Sequence, residues 1–249
     1  MATRIEDGRR TGSAVLRLVA LLAFCLPASA CGSVLGGEDN GPPPDATAPE
    51  IVRARAMAAE GADNALEHAR EALGGTMVGR ALDDGCYRGQ NNYKVNDGYD
   101  HRCTLRRAVV IGFDGDFRER IRVLDRRLFA VGWACYRDPC PETLSGEVDA
   151  YWSLRKDEYG GAEPPTTSLP SSSMYERGNQ HLDVAYVRAD RAGRGTLERF
   201  HHRGRGGFFT SYERARPFEV EATLERASRF EYAVALAVET DYFEDAEFG

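Results

Sequence analysis

Apolar residues in the first part of the chain recur at helical spacing. The set consists of Ile51, Ala54, Ala58, Ala62, Ala65, Ala69 and Leu73. Steps of three and four residues place these side chains on one face of a helix, which Gly74-Gly75 should end. The preceding Thr47-Ala48-Pro49-Glu50 fits a capping box at the helix start, and Gly61 is a candidate interruption.

A second pattern combines a strand with a helix. Residues 105–113 (LRRAVVIGF) are the most apolar short run after the leader and predict a central strand. Helical spacing follows at once in Phe117, Ile121, Leu124, Leu128 and Val131. Asp116 is the expected N-cap, with Glu119 three residues on and Gly132 beyond the end.

Later segments alternate between apolar and polar positions, which predicts half-buried antiparallel strands. The alternating sets are Val148, Ala150, Trp152 and Leu154; Leu182, Val184 and Tyr186; and Phe230, Tyr232, Val234, Leu236 and Val238. Residues 217–228 also alternate but contain good helix formers. They fit a strand or a helix, and a hairpin with the last strand is favoured.

Together these patterns predict an α+β fold, mainly an antiparallel sheet with an N-terminal helix and one strand-to-helix unit near 105–131. Residues 160–173 are a loop rich in Gly, Pro and Ser, and no internal repeat is evident. We therefore expect a single globular domain over residues 49–249.

The first thirty residues have the three parts of an export signal. Residues 4–17 are rich in arginine, residues 18–26 are uninterrupted apolar, and Ala28-Ser29-Ala30 supplies small side chains. About nine apolar residues are too few to span a bilayer as a helix, which needs roughly 20. Residues 1–30 are therefore predicted to be a signal peptide.

The stretch Ala28-Ser29-Ala30-Cys31-Gly32 resembles the lipobox of bacterial lipoproteins. The resemblance covers only this leader and implies that Cys31 is diacylated and becomes the mature N-terminus. Residues 31–48, rich in Gly, Pro and acids, are then expected to be a flexible tether. The implied location is the outer face of the bacterial cytoplasmic membrane. Ala28 stands where leucine is typical, and plain secretion after Ala30 is the alternative.

Cysteine number supports the same interpretation. Cys25 follows the bulky Phe24, which does not suit a lipobox, and would leave with the signal. Lipidation of Cys31 leaves an even number for pairing in an oxidising compartment. These are Cys86, Cys103, Cys135 and Cys140.

Three disulfide pairings of those four cysteines are open. Nearness favours Cys86 with Cys103 and Cys135 with Cys140, since short loops close most readily. A zinc site is the alternative, but only Cys135 and Cys140 approach the spacing of zinc ligands. No metal or other cofactor is predicted.

Charge argues against nucleic acid as a partner. The chain has a formal charge of -7, and the part after residue 30 has -9. Lys94 and Lys156 are the only lysines, so nearly all basic residues are arginine. That bias is typical of a GC-rich coding sequence.

Short motifs give no complete catalytic set. Ser153-Leu154-Arg155-Lys156 matches the S-x-x-K of penicillin-recognising enzymes without their other motifs. Adjacent residues such as His201-His202 point to opposite faces of a strand and are poor joint metal ligands. Asp114-Gly115-Asp116 fits turn and capping roles better than a calcium loop.

The tyrosines Tyr87, Tyr93 and Tyr99 surround a polar loop and are candidate ligand-binding residues. The chain is accordingly predicted to be a non-enzymatic binding or accessory module for a protein, peptide or envelope ligand. The alternative is an envelope hydrolase whose residues meet only in the fold. A pocket that gathers His101, His181 or His201 with acids would favour that alternative.

Overall fold

A computed structural model describes residues 44–89, 97–135, 144–155, 173–188, 191–200 and 210–245. These residues belong to one compact unit. Their helices are α1 Pro49–Leu73, α2 Phe117–Ala130, α3 Leu144–Arg155, α4 Arg191–Phe200 and α5 Val220–Ala227. Their strands are β1 Thr76–Arg88, β2 His101–Phe113, β3 Ala134–Cys135, β4 Ser173–Arg177, β5 Gln180–Tyr186, β6 Thr210–Arg216 and β7 Tyr232–Asp245. None of the helices in these ranges is long and apolar enough to cross a membrane.

The seven strands form one antiparallel sheet in the order β3-β4-β5-β7-β2-β1-β6. The long strands β7 and β2 lie at its centre, and β6 ends the order on one side. The fold is therefore α+β with a mainly antiparallel sheet, as the hydrophobic pattern predicts.

Helices cover both faces of the sheet, because alternate residues of the central strands are apolar on each side. On the first face, α1, α2 and α3 pack over a core that includes Ile111 of β2 and Leu236 of β7. On the second face, α4 and α5 pack over Ala108, Val110 and Ala235. The sheet therefore lies between two layers of helices.

Helix α1 does not begin with the predicted capping box. Its N-cap is Ala48, which makes no side-chain cap bond. The backbone N–H and the hydroxyl of Thr47 instead donate to the carboxylate of Asp45, at 2.8 and 2.6 Å. The prediction for Thr47 is wrong because the helix begins at Pro49 with Ala48 as N-cap, so Thr47 lies one residue too early, in the preceding turn with Asp45.

Helix α1 also continues through Gly61 without a break. A Cβ at Gly61 would lie 3.1 Å from the side-chain nitrogen of Gln180 on β5, so the glycine allows a close approach of helix and sheet. Gly74 ends the helix as predicted, with a left-handed backbone at φ 61° and its N–H bonded to the carbonyl of Glu71.

The strand-to-helix unit is confirmed. Strand β2 lies between β7 and β1, and α2 follows it directly. The side chain of Asp116 accepts a 3.0 Å hydrogen bond from the backbone N–H of Glu119, which is the expected N-cap geometry.

Two predicted strands are helices. The segment from Val148 to Leu154 lies in α3, where Leu144 and Val148, four residues apart, are buried against the first face. Residues 217–228 contain α5, in which Leu224 and Ala227 are buried, so the favoured hairpin is wrong. The alternating segment at 182–186 is a strand, as predicted. The segment predicted as a strand from Phe230 is one from Tyr232 onward, and Phe230 lies before it.

Candidate functional site

A groove of about 590 Å³ lies on the first face between α1 and the strands β1, β2 and β6. Helix α1 packs over β7 and β2, so it forms one wall, and the neighbouring strands form the floor. The charged residues that line the groove are Arg80, Arg107, Arg214, Arg216, Asp63 and Glu67. Its lining also includes Asn64 and apolar residues such as Leu66, Met77 and Leu82.

Strand register brings the four arginines together. Leu82 of β1 lies directly opposite Arg107 of β2 and Arg216 of β6, so one row across three strands places a leucine between two arginines. Arg80 and Arg214 each lie two residues along their strands from that row, on the same face. The result is a cationic surface around a half-buried apolar side chain.

Each acidic side chain of the helical wall is already bonded to an arginine, Asp63 to Arg107 of the groove and Glu67 to Arg70 of α1. Both carboxylate oxygens of Asp63 lie 2.6 Å from one nitrogen of Arg107. Glu67 bonds to Arg70, three residues on, at 2.6 Å, and this hydrogen bond lowers the pKa of the Glu67 carboxyl. Among the described residues, neither acid is bonded to the remaining arginines of the groove.

Arg80, Arg214 and Arg216 are the groove arginines outside these pairs, although the charge of Arg80 also helps to lower the pKa of the Glu67 carboxyl. Within the part of the chain that the structure describes, no ion pair joins these three guanidinium groups to a carboxylate. A guanidinium presents planar, paired donors that match carboxylate and phosphate oxygens. The groove can therefore bind an anionic ligand, and Leu82 and Met77 offer contact to an apolar part of it.

A buried polar cluster lies on the same face of the sheet, around Asp84, which is two residues from Leu82 on β1 and opposite Arg214. Asp84, only 2% exposed, accepts a 2.8 Å hydrogen bond from the hydroxyl of Tyr242 and lies 3.1 Å from the guanidinium of Arg55. Burial, together with the charge of Asp84, raises the pKa of Tyr242. Arg55 also stacks over the ring of Tyr212, with 4.4 Å to its centre. These contacts tie α1 to β1, β6 and β7.

The disulfide between Cys86 and Cys103 lies beside this cluster. The two residues are direct partners in the β1–β2 ladder, and the sulfur of Cys86 is 3.5 Å from the hydroxyl of Tyr242. The predicted pairing of these two cysteines is confirmed. Cys135 is also disulfide-bonded, but Cys140 lies outside the described residues, so its pairing stays a prediction.

A second polar cluster lies on the opposite face of the sheet. Buried Arg106 bonds to Asp183 at 2.8 Å and to Glu239 at 3.2 Å, and it donates to the carbonyl of Phe200 at 3.0 Å. His181 of β5 lies directly opposite Glu239 in the sheet. The fold thus places His181 beside the acids of this cluster.

The candidate tyrosines are partly brought together. The rings of Tyr87 and Tyr99 meet edge to face with 5.9 Å between their centres, and Arg102 stacks on Tyr99 at 4.0 Å. Tyr93 lies outside the described residues. His101, at the start of β2, has its Nδ1 3.9 Å from a carboxylate oxygen of Asp245.

The other residues singled out from the sequence belong to a turn or a helix surface, or they lie outside the described residues. Asp114 accepts from the backbone N–H of Glu231, whose side chain accepts from Gly115, so this turn joins β2 to the start of β7. Ser153 is exposed on α3. The leader with Cys25 and Cys31, and the residues Lys156, His201 and His202, lie outside the described residues.

No group of three or more His, Cys, Asp or Glu side chains in the described ranges is placed to hold a metal ion. The groove is a different kind of site, since its ligating groups are cations.

The groove arginines are the site residues that sequence reasoning missed. A chain in which nearly every basic residue is arginine conceals the individual positions that matter. One local signal is present: Arg214 and Arg216 alternate on a strand and therefore share a face.

Comparison with protein-family models, with curated proteins and with solved structures found no match to this chain.

Proposed function

We propose that the protein is a lipid-anchored extracytoplasmic lipoprotein whose domain is a non-enzymatic binding module for an anionic ligand. The ligand binds in the arginine-lined groove, where its acidic groups meet Arg80, Arg214 and Arg216. The observation that carries this proposal is the presence of three arginines without carboxylate partners, among the described residues, in one groove.

The proposed location rests on the leader. The apolar run, the small residues before Cys31 and the tether that follows are the features of a bacterial lipoprotein. Cys31 would hold the domain at the outer face of the cytoplasmic membrane. Plain secretion is the alternative.

The proposed ligand class rests on charge contrast. The chain after residue 30 has a formal charge of -9, yet the groove lining carries four arginines and only two acids. An acidic surface repels nucleic acid at long range. A short anionic ligand that reaches into the groove meets the local positive charge instead.

Two experiments test the two parts of the proposal. Detergent phase partitioning of the wild type and Cys31→Ser tests the anchor, and equal partition into the aqueous phase contradicts it. Titration with tripolyphosphate tests the groove, using the wild type and a variant with Arg80, Arg214 and Arg216 each changed to Gln. The proposal requires weaker binding by the variant.

A hydrolase is the second candidate function, since His181 lies opposite Glu239 in the sheet, beside the carboxylates that Arg106 binds. Carboxylates beside a histidine can exchange protons with a substrate. Turnover of envelope ester, amide or glycosidic substrates by the wild type, and its loss in Glu239→Gln of retained fold, would support this function.

A further inference from the structure

Within the described residues, β6 combines arginines that make no ion pair with a carboxylate and a backbone edge that no other strand covers. It ends the strand order of the sheet, and the residues from Glu213 to Arg216 are exposed. An edge strand can pair with an additional strand through its outward N–H and C=O groups.

The orientation of the β6 backbone follows from the neighbouring ladder. The Cα atoms of Cys86 and Cys103 are 4.0 Å apart, which is the short spacing of a pair without mutual hydrogen bonds. The N–H and C=O of Cys86 therefore point the other way, to its partner Tyr212 on β6.

The same alternation fixes the rest of β6. Arg214 and Arg216 bond to β1 as Tyr212 does, while the N–H and C=O groups of Glu213 and Ala215 point to the outer edge. The carbonyl of Tyr212, 3.4 Å from the position of a Cβ on Gly85, faces β1 as this pattern requires.

The arginines of β6 and its Glu213 lie on opposite faces of the sheet. Arg214 and Arg216 face the groove at a separation of about 6.6 Å along the strand. An added strand has the same repeat and places every second side chain on the groove face, beside these arginines. Glu213 faces the opposite side, where it disfavours further acids.

We infer that β6 is the docking edge for an extended acidic polypeptide segment, which adds to the sheet as a strand with carboxylates at alternate positions toward Arg214 and Arg216. This inference rests on the proposed function and specifies its ligand as a peptide. Charge complementarity selects the acidic partner, and backbone pairing at Glu213 and Ala215 selects a polypeptide over other polyanions.

The test uses the full chain and a heptapeptide of alternating threonine and glutamate. With its glutamates toward Arg214 and Arg216, the peptide bonds to Glu213 and Ala215 through its threonines. The matched control is therefore the same peptide with its threonine backbone nitrogens methylated, which keeps the charge and blocks strand pairing. We expect methylation to weaken binding at least about tenfold. Equal binding of the two peptides, or no binding of the unmodified peptide, would overturn the inference.

Ala215→Pro provides the complementary change on the protein. Proline removes only the outward N–H of Ala215, and an edge strand tolerates it at such a position. We expect this variant to lose peptide binding at least about tenfold and to keep tripolyphosphate binding within about twofold. Loss of tripolyphosphate binding in the arginine variant tests the groove itself, so failures of the two proposals are distinguishable.

Discussion

Arg214 of β6 and Asp84 of β1 are direct cross-strand partners, yet the carboxylate of Asp84 bonds to Arg55 and Tyr242. Asp84 is thus held on the side of α1, and its charge is already balanced by Arg55. No described carboxylate forms an ion pair with Arg214, which leaves it available, within that part of the chain, to an external anion. Arginines such as Arg55 and Arg106 are bound to buried acids and support the fold, whereas Arg214 and its neighbours in the groove are not.

Arg106 and Arg80 should differ sharply in their effect on stability. Arg106→Gln leaves Asp183 and Glu239 buried without their shared cation, which should lower the free energy of unfolding by about 3–5 kcal/mol. Exposed Arg80→Gln should change it by less than about 0.5 kcal/mol. Urea unfolding measures both variants, and equal effects would contradict the assignment.

Asp116 and Thr47 provide a matched pair of capping tests. Asp116→Ala removes the side-chain acceptor at the start of α2 and should cost about 1 kcal/mol in the free energy of unfolding. Thr47→Ala should cost less than about 0.5 kcal/mol, because Thr47 does not cap α1. A larger cost for Thr47→Ala, measured by urea unfolding, would indicate that Thr47 does cap α1.

The Cys86–Cys103 disulfide should stabilise the domain by restricting the unfolded chain. The two residues are 17 apart, and closing a loop of that size contributes about 3 kcal/mol. The double variant Cys86→Ala with Cys103→Ala should lose about that much in denaturant unfolding. A loss below about 1 kcal/mol would show that the cross-link contributes little.

Tyr242 should make the protein less stable in alkali. Burial raises the pKa of its hydroxyl in the folded state, so the fold holds the proton more tightly than the unfolded chain does. The contribution of protonated Tyr242 to the free energy of unfolding is fully present below about pH 10 and decreases as the pH rises above that value. In Tyr242→Phe, the loss of stability with rising pH should be shallower. An unchanged slope would contradict a raised pKa.

The sequence predicts those elements whose local signals agree with their packing. Strand β2 has one long apolar run, and Asp116 accepts the backbone N–H of Glu119 as an N-cap does. Helix α3 escapes prediction because Val148 and Trp152 are four residues apart, a spacing that suits both a strand face and a helix face. Burial of Leu144 with Val148 decides for the helix.

The groove could not be predicted from local patterns. It depends on the pairing of Leu82 with Arg107 and with Arg216. Arg216 lies far from the other two residues in the sequence. Uniform use of arginine hides which positions lack a carboxylate partner. Only the strand register and the position of α1 separate Arg214 and Arg216 from arginines that are already paired.

The groove is tested most directly by titrating the full chain with tripolyphosphate while the Nε–Hε resonances of its arginine side chains are followed by NMR. Saturable shifts are expected at Arg80, Arg214 and Arg216. Arg118 and Arg122, which bind Asp149, serve as internal controls and should not shift. Absence of a saturable shift, or equal shifts at the paired and unpaired arginines, would contradict an anion-binding groove.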